Sequence, residues 1–458
     1  MSTAAYSLDD LRIARKEVSR DLGHELAAKA SDAFCMTVHA RKSYAGAAVG
    51  MEALAIPSPP TPHIPSVVGF RDALIGEAPA AAEGDDPRAR RLLVNGVRNR
   101  AYAAMTSVYT EIDRQSHSPL GALPETLRAS AAPITQLCWL NRTIRTWADP
   151  EVIAEVAADE SVTEVDVTRR IMPDAQSPNH AAIGHPAISG LTVDRTGRGV
   201  TVGVIDSEVH VQHPALEPRV IPRRNYTAEP WGTPDHHGTA IAGVIGANFQ
   251  GHMGLAPEVT IYSYKVSATN RWANAFGFDG ARAIQDALED EVDIVNCSWG
   301  VGPATDVPSR EALAITNAVS IFGLAVVKSA GNLGPELGTL TAPAEAQGVI
   351  VVGATDVEGM EVPDYSSRGP AGGKRGPDIV APGGKPDACL TCCLPNGGFG
   401  NAGYGTSYSA PHATGILALL FEEASLEPDA IRREITSKAK LLANWGVDAQ
   451  GAGLLRVA

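Results

Sequence analysis

A series of short apolar segments beginning near Gly199 constrains the fold more than any other feature of the chain. The segments are rich in β-branched residues, and stretches of helical character lie between them. They read VTVGVID, VTIYSYKV, VDIVNCSW, LAVVKSA, GVIVVGAT and DIVAPG, with helices predicted near 238–248, 277–291, 309–322 and 408–424. Apolar strands that alternate with helices form a mostly parallel sheet covered on both faces. The sequence therefore predicts an α/β fold here, with functional residues beyond the carboxyl ends of the strands.

The region before Gly199 has a different pattern. Residues 8–31 are typical of an amphipathic helix. The proline-rich stretch 57–65 predicts a linker or an extended arm and excludes a helix or a central strand, because proline lacks an N–H and fixes φ. A helix, a strand, a second helix and a second strand are then predicted over residues 88–114, 134–147, 150–160 and 161–170. This order indicates a small α+β unit.

The net charge and the targeting signals limit which partners and which cellular compartment can be expected. Lys and Arg number 38 and Asp and Glu number 52, so the formal net charge is −14. An acidic chain argues against nucleic acid and anionic membranes as main partners. The N-terminus has no apolar signal region, and no apolar run of 18 or more residues occurs. These features predict a cytoplasmic protein with reduced thiols.

The six cysteines are too few for a disulfide scaffold in a chain of 458 residues. The three scattered cysteines are predicted to be small buried hydrophobic residues: Cys35, Cys138 and Cys297. The other three lie in a Gly/Pro-rich stretch: Cys389, Cys392 and Cys393. We favour free thiols in a surface loop for this cluster. A disulfide and a metal site remain alternatives, although zinc needs about four ligands and no histidine lies in the loop.

Three segments carry candidate catalytic residues. Asp206 ends an apolar strand, so its carboxylate is expected to be buried and hydrogen-bonded. His237 precedes an Ala/Gly-rich helix and lies 31 residues after Asp206, with His236 as a rival for the same role. Ser407 begins an apolar helix, where free N–H groups favour a developing oxyanion.

The chemistry accounts for these residue types. A serine hydroxyl becomes a good nucleophile when an imidazole takes its proton, and a buried carboxylate orients and stabilises that imidazole. Asn332 follows a predicted strand and a glycine, and we assign its side-chain amide as an oxyanion donor beside the backbone N–H of Ser407. The residues therefore predict hydrolysis through a covalent acyl-enzyme.

The order Asp, His, Ser, with the motifs VIDSEV, HGTAIAG, SAGN and GTSYSAPHATG, resembles the subtilisin-like proteases, or subtilases. The resemblance extends from about residue 195 to the C-terminus and implies a subtilisin-like fold. It also implies that Ser298, Trp299 and Gly300 pair with the substrate backbone. Ser329, Ala330 and Gly331 are further candidate substrate-binding residues, and Thr341 to Pro343 is a candidate pocket floor lined by small residues.

Residues 85–172 resemble, more weakly, the inhibitory propeptide of this family, mainly in the segment DPEVIAEVAADESVTEVDV. The resemblance implies self-cleavage between about Thr168 and Gln176. We therefore predict an N-terminal extension with a linker over 1–84, a propeptide-like domain over 85–172 and a catalytic domain over 173–458.

The sequence departs from the family pattern at three places. Glu208 replaces a usual glycine. It could raise the pKa of His237, bind a basic substrate residue or, as we favour, point to solvent. The loop NFQGHMG lacks the carboxylates of a strong calcium site, so we expect weak calcium binding or none there, and no other cofactor. Trp299 is bulkier than the usual aliphatic residue and is a candidate to fill a substrate side-chain pocket.

The predicted function is a serine endopeptidase, made as a self-processing zymogen and acting on a restricted intracellular protein or a precursor peptide. Its own propeptide-like domain is a predicted partner. Two alternatives remain open at this stage. One is a catalytically idle binding protein on the same fold, and the other is a peptide acyl transferase or macrocyclase that uses the same triad.

Overall fold

A computed structural model describes residues 64–70, 136–148, 162–167, 171–173, 195–250, 252–269, 275, 277–422 and 428–456, and part of 91–109. The chain divides into two compact units. One comprises Met1–Ala78 and Gly96–Thr168, and the other comprises Pro79–Asn95 and Arg169–Ala458. The helices predicted over 8–31 and 150–160, and Cys35, lie outside the described residues.

The first unit contains a four-stranded antiparallel sheet in the order β2-β3-β1-β4. Its strands are β1 (Ile64–Phe70), β2 (Gln136–Cys138), β3 (Thr143–Ala148) and β4 (Val162–Val167). β4 confirms the second predicted strand. The single strand predicted over 134–147 is wrong, because a turn between β2 and β3 makes this segment a hairpin. Arg142 has a φ of 57° in that turn, and the Thr143 hydroxyl donates to Asn141 Oδ1 at 2.6 Å.

β1 was not predicted from the sequence, and it overlaps the end of the proline-rich stretch. β1 is a central strand between β3 and β4, so the exclusion of a central strand is wrong at Ile64 and Pro65. Pro65 is tolerated because the ladder to β4 begins only at Ser66, and Pro65 is paired with Trp147 of β3 alone. Residues described as helical between 91 and 109 agree with the helix predicted over 88–114.

The second unit is built on a seven-stranded parallel sheet in the order β15-β14-β13-β11-β6-β10-β7. Its strands are β6 (Thr201–Ser207), β7 (Val220–Asn225), β10 (Thr260–Ser267), β11 (Ile294–Cys297), β13 (Ala325–Ser329), β14 (Ile350–Thr355) and β15 (Ile379–Pro382). Six of them confirm the strands that were predicted from the apolar segments of the sequence. β7 was not predicted from the sequence, because half of the residues in VIPRRN are polar and the strand contains a proline. Its outer edge is unpaired among the described strands.

Short antiparallel ladders accompany the main sheet. They join β5 (Met172–Pro173) to β12 (Trp299–Gly300), β8 (Asn248–Phe249) to β9 (His252–Met253), and β16 (Leu390–Cys393) to β17 (Phe399–Gly403). The ladder between β5 and β12 bears directly on the candidate site, because it lies next to Ser298.

The helices of this unit cover the sheet. They are α1 (His236–Gly246), α2 (Gly277–Glu289), α3 (Arg310–Phe322), α4 (Thr406–Phe421), α5 (Pro428–Lys438) and α6 (Val447–Gln450). α1 packs against α4, and α2 packs against α3. Every residue of the inner strands β11, β13 and β14 is buried, as expected of a parallel sheet covered on both faces. None of the described helices is long and apolar enough to span a membrane.

The cysteine cluster is buried, so the predicted surface loop is wrong. Cys389, Cys392 and Cys393 are free thiols, and the last two belong to β16. A Cβ built on Gly243 of α1 would lie 2.8 Å from Cys393 Sγ, so the strand packs directly on the helix. Burial raises the pKa of Cys393 to about 12, which keeps this thiol protonated and unreactive. The scattered Cys138 and Cys297 are buried, as predicted.

Candidate active site

Asp206 lies at the carboxyl end of β6, in the middle of the parallel sheet, and is fully buried. Its Oδ1 accepts hydrogen bonds from the backbone N–H of Ser207 at 2.7 Å and from the Ser207 hydroxyl at 3.2 Å. His237 Nδ1 lies 2.7 Å from the same oxygen. A carboxylate held in this way fixes the orientation of the imidazole ring.

His237 is the second residue of α1, and Asp235 caps this helix by accepting a hydrogen bond from the His237 backbone N–H at 2.9 Å. The helix can approach the sheet because residue 238 is a glycine. A Cβ there would lie 2.3 Å from the Ser207 carbonyl oxygen. The His236 ring contacts a different group, because its Nε2 lies 3.4 Å from the Asn401 carbonyl oxygen. Burial lowers the pKa of His236. His237 is therefore the histidine that meets Asp206.

Ser407 is the second residue of α4 and is buried. Its hydroxyl donates to the Ser298 carbonyl at 2.8 Å, and the Ser298 hydroxyl donates to the Ser407 carbonyl at 2.9 Å. Asn296 Nδ2 donates to the Ser298 hydroxyl at 2.8 Å. These bonds fasten the first turn of α4 to the segment that follows β11. The ring of Tyr408, the next residue, lies 5.8 Å from the His237 ring.

Asn332 has a fixed amide orientation. Its Oδ1 accepts hydrogen bonds from the backbone N–H and the hydroxyl of Thr406, both at 3.0 Å. Among the described residues its Nδ2 has no hydrogen-bond partner. Since Thr406 directly precedes Ser407, this amide can donate to an oxyanion that forms at Ser407.

The segment Ile171–Pro173 contacts the strand that follows Ser298. β5 and β12 pair antiparallel, with Met172 opposite Gly300 and Pro173 opposite Trp299. Ile171 is buried, and its N–H donates to the Ala275 carbonyl at 2.8 Å. An extended peptide is therefore paired with the strand that the sequence predicted to bind substrate backbone.

The profile that describes the subtilase family matches residues 197–455. The chain belongs to this family. It is 33% identical over 252 residues to the major intracellular serine protease of Bacillus subtilis strain 168, which covers 52% of this chain and 74% of that protein. It is 30% identical over 319 residues to subtilisin E of the same strain, covering 68% of this chain and 78% of that protein.

Fervidolysin from Fervidobacterium pennivorans shares the fold, with a TM-score of 0.59 and 20% identity over 86% of this chain and 60% of that one. The relatives are named serine proteases, and the protein is a serine endopeptidase of the subtilase family acting on proteins or peptides.

In this subtilase, Glu208 does not point to solvent as the sequence analysis favoured. Its carboxylate is buried, lies 2.8 Å from Lys265 Nζ and accepts from the Gly232 N–H at 2.7 Å. The fully buried ammonium of Lys265 also lies 2.8 Å from Glu229. Burial of Glu229 opposes its ionisation, but hydrogen bonds from Lys265 and Thr269 outweigh burial and lower its pKa to about 2. This charged cluster ties the loop before α1 to β6 and β10.

Trp299 is fully buried, and its ring lies against Gly280 of α2. A Cβ on Gly280 would lie 2.6 Å from Trp299 Cη2 and 3.1 Å from Ile171 Cδ1. Both side chains therefore approach the same position on α2. That Trp299 fills a substrate side-chain pocket stays a prediction.

The remaining predicted substrate-binding residues are Ser329, which ends β13, and Ala330 and Gly331, which lie between β13 and Asn332. Thr341 donates its N–H to the Ala330 carbonyl at 2.9 Å, and Gly331 donates its N–H to the Thr406 hydroxyl at 3.1 Å. Gly331 has a φ of 108°, which only glycine adopts easily.

Sequence reasoning missed several residues that position the candidate groups. Ser207 holds Asp206 and Asp235, with its hydroxyl donating to Asp235 at 2.9 Å. Thr406 orients Asn332, and Lys265 neutralises Glu208. Ser207 and Thr406 each adjoin a candidate catalytic residue, which is the signal that could have found them. The lysine is 57 residues from Glu208, and strand pairing alone brings the two together.

Weak calcium binding or none at the loop NFQGHMG stays a prediction. Among the described residues, no group of three or more His, Cys, Asp or Glu side chains is arranged to hold a metal ion. Residue 251 of the loop concerned is not among them.

Proposed function

We propose that the protein hydrolyses peptide bonds through an acyl-enzyme on Ser407, with His237 as general base and Asp206 as its orienting carboxylate. The observation that carries the proposal is the 2.7 Å contact between His237 Nδ1 and the buried Asp206 carboxylate, beside the first turn of α4, which contains Ser407. A buried Asp–His pair next to a serine at a helix N-terminus suits nucleophilic catalysis.

The chemical steps follow from this geometry. The Ser407 hydroxyl leaves the Ser298 carbonyl, gives its proton to His237 Nε2, and Oγ attacks the substrate carbonyl carbon. The negative charge that develops on the carbonyl oxygen accepts hydrogen bonds from Asn332 Nδ2 and the Ser407 N–H. His237 then protonates the leaving amine, and water cleaves the ester by the same route.

We also propose that the enzyme is a self-processing zymogen with residues 1–172 as its pro-region. The support is the pairing of Met172 and Pro173 with β12 beside Ser407, since a chain ending there would leave as the first product. The likeness to an intracellular serine protease of Bacillus subtilis favours a cytoplasmic enzyme. In that compartment we propose a restricted substrate, a partner protein or a precursor peptide, instead of bulk digestion.

The test is the intact mass of the purified full-length chain beside its Ser407→Ala variant. We expect the wild type to split between residues 168 and 176 and the variant to remain whole. A fluorophosphonate probe should label the wild type and not Ser407→Ala. If the wild type is neither split nor labelled, the catalytic proposal is wrong and the chain is an idle binding protein. If peptides are turned over without gaining the mass of water, the enzyme is an acyl transferase.

A further inference from the structure

A second carboxylate lies beside the pair formed by Asp206 and His237. Asp235 is buried and caps α1, and its Oδ1 accepts the His237 backbone N–H at 2.9 Å. Its own N–H donates to the carbonyl of Glu208, which follows β6, at 2.9 Å. The Glu208 side chain is itself paired with Lys265 at 2.8 Å. The Asp235 cap is therefore fixed both to the helix that carries His237 and to the segment after β6, although the proposed catalytic steps make no use of its charge.

The Ser207 hydroxyl connects the two carboxylates. Its oxygen lies 2.9 Å from Asp235 Oδ1 and 3.2 Å from Asp206 Oδ1, the same Asp206 oxygen that meets His237 Nδ1 at 2.7 Å. The hydroxyl accepts the Gly238 N–H at 3.0 Å, and its single hydrogen serves one carboxylate at a time. These residues are all buried. A short path of hydrogen bonds through the interior therefore joins the Asp235 carboxylate to the His237 ring.

The elements packed against α1 carry further titratable groups, which are Asp206 on β6, Tyr408 and His412 on α4, Cys392 and Cys393 on β16, and His252 on β9. Burial raises the pKa values of Tyr408 and of the two thiols, which keeps these groups neutral near pH 7. Burial lowers the pKa of His236, the neighbour of His237 on α1 itself. The acidic groups that hydrogen bonds connect to the His237 ring are therefore the two carboxylates joined by Ser207.

We propose, on the basis of the proposed function, that Asp235 is a positioning residue whose negative charge, together with that of Asp206, stabilises the imidazolium of His237 during acylation. The imidazolium forms when Nε2 takes the Ser407 proton while Nδ1 keeps its own proton toward Asp206. A nearby negative charge favours the charged form of a base. The path through Ser207 places Asp235 Oδ1 within about 9 Å of His237 Nδ1, where a unit charge in a buried site shifts a titration by about one pH unit.

The test is Asp235→Asn in the full-length protein, which removes the charge and keeps the cap, because an amide oxygen can accept both hydrogen bonds. The rate of fluorophosphonate labelling and kcat/KM are measured between about pH 5 and pH 9, the range in which histidine titrates. We expect the acid limb of both profiles to move about one pH unit lower. The plateau should fall by about 10-fold, since the imidazolium of the transition state loses the same stabilisation.

Two further variants separate charge from structure. Asp235→Ser supplies a second uncharged cap and should give the same shift as Asp235→Asn. Asp378→Asn is the matched control, because Asp378 is a buried carboxylate that accepts the Val351 N–H at 2.8 Å. Asp378 precedes β15 and so lies at the amino ends of the strands, opposite to the end where Asp206 lies. The control should leave the acid limb unchanged.

An NMR titration of the His237 ring in the Ser407→Ala chain measures the same shift without catalysis, with the signal identified by its loss in His237→Gln. If Ser407 is labelled and Asp235→Asn moves neither the acid limb nor the NMR titration, Asp235 is a helix cap only, and the protease remains. Unequal shifts for the Asn and Ser variants would assign the effect to a displaced helix and overturn the proposal. If the wild type is not labelled at any pH, the proposed function is wrong, and the NMR titration alone decides whether Asp235 acts on His237.

Discussion

Gly238 offers the sharpest test of how the fold sets the distance between Asp206 and His237. Gly238 follows His237 in α1, and its N–H donates to the Ser207 hydroxyl at 3.0 Å. In Gly238→Ala the new Cβ would lie 2.3 Å from the Ser207 carbonyl oxygen, whereas Cβ contacts under 3.0 Å are essentially never observed. α1 and β6 must therefore move apart at this point by at least 3.0 − 2.3 = 0.7 Å.

That displacement is large compared with the tolerance of the candidate site. The His237 Nδ1 to Asp206 Oδ1 distance is 2.7 Å, and His237 is the neighbour of the substituted residue, so it moves with the helix. A misplacement of about 1 Å can reduce a rate by about 100-fold. We therefore expect kcat/KM to fall by about 10- to 100-fold. The overpacked contact should also destabilise the fold by about 1–3 kcal/mol.

The assay is peptide hydrolysis together with the rate of fluorophosphonate labelling, and thermal unfolding is measured on the same preparations. Gly246→Ala is the control, because it adds the same methyl group to the other end of α1. There the Cβ meets a side-chain methyl of Val259 at 2.8 Å. We expect this control to keep its activity. A folded Gly238→Ala enzyme with activity within threefold of the wild type would refute the reasoning that this glycine sets the position of His237.

Three further changes test other parts of the site. Asn332→Ala should lower kcat by about 100- to 1000-fold with little change in KM, a magnitude taken from such a donor in a subtilisin, in steady-state kinetics. Lys265→Met should destabilise the chain by about 3–5 kcal/mol, because it leaves Glu208 buried without its cation. Glu208→Gln should lower the free energy of unfolding by less, since Glu229 still pairs with Lys265. Denaturant unfolding of the two variants, both made in the inactive Ser407→Ala chain, compares these losses. Burial lowers the pKa of His213. The folding stability that depends on its neutral ring should therefore be fully present above about pH 6.5 and decrease as the pH falls below that value. Thermal unfolding at a series of pH values measures this loss.

Each of these predictions has a result that would contradict it. An Asn332→Ala enzyme that loses affinity and keeps kcat would place the amide in substrate binding. Equal losses of stability for Lys265→Met and Glu208→Gln would mean that Glu229 does not help to neutralise the Lys265 ammonium. The His213 ring accepts from the Ala215 N–H at 3.1 Å and lies 2.8 Å from the Gly398 carbonyl, as a neutral imidazole requires. A His213→Gln chain with the same acid sensitivity as its parent would assign that sensitivity to another group.

The sequence predicted the parallel sheet because its strands are apolar on both faces, a pattern that depends on each segment alone. The proximity of Asp206 and His237 was predicted in the same way, because Asp206 ends an apolar strand and His237 lies at the start of a helix. The errors arise where the decisive partner is distant. The hairpin turn at Asn141 and Arg142 interrupts an apolar run with a conformation that periodicity does not reveal. Glu208 reads as a surface residue until β10 brings Lys265 beside it.

The strand order explains why charges at this site escape sequence reasoning. In the sheet, β13, β11, β6 and β10 are consecutive neighbours, although helices and loops separate them in the chain. Lys265 pairs in register with Asp206, and Lys328 pairs with Cys297, one residue before Ser298. Both lysines therefore lie near the carboxyl ends of their strands, at the edge of the sheet where Asp206 ends its own strand. Because Lys265 is neutralised by two carboxylates of its own chain, it serves the fold.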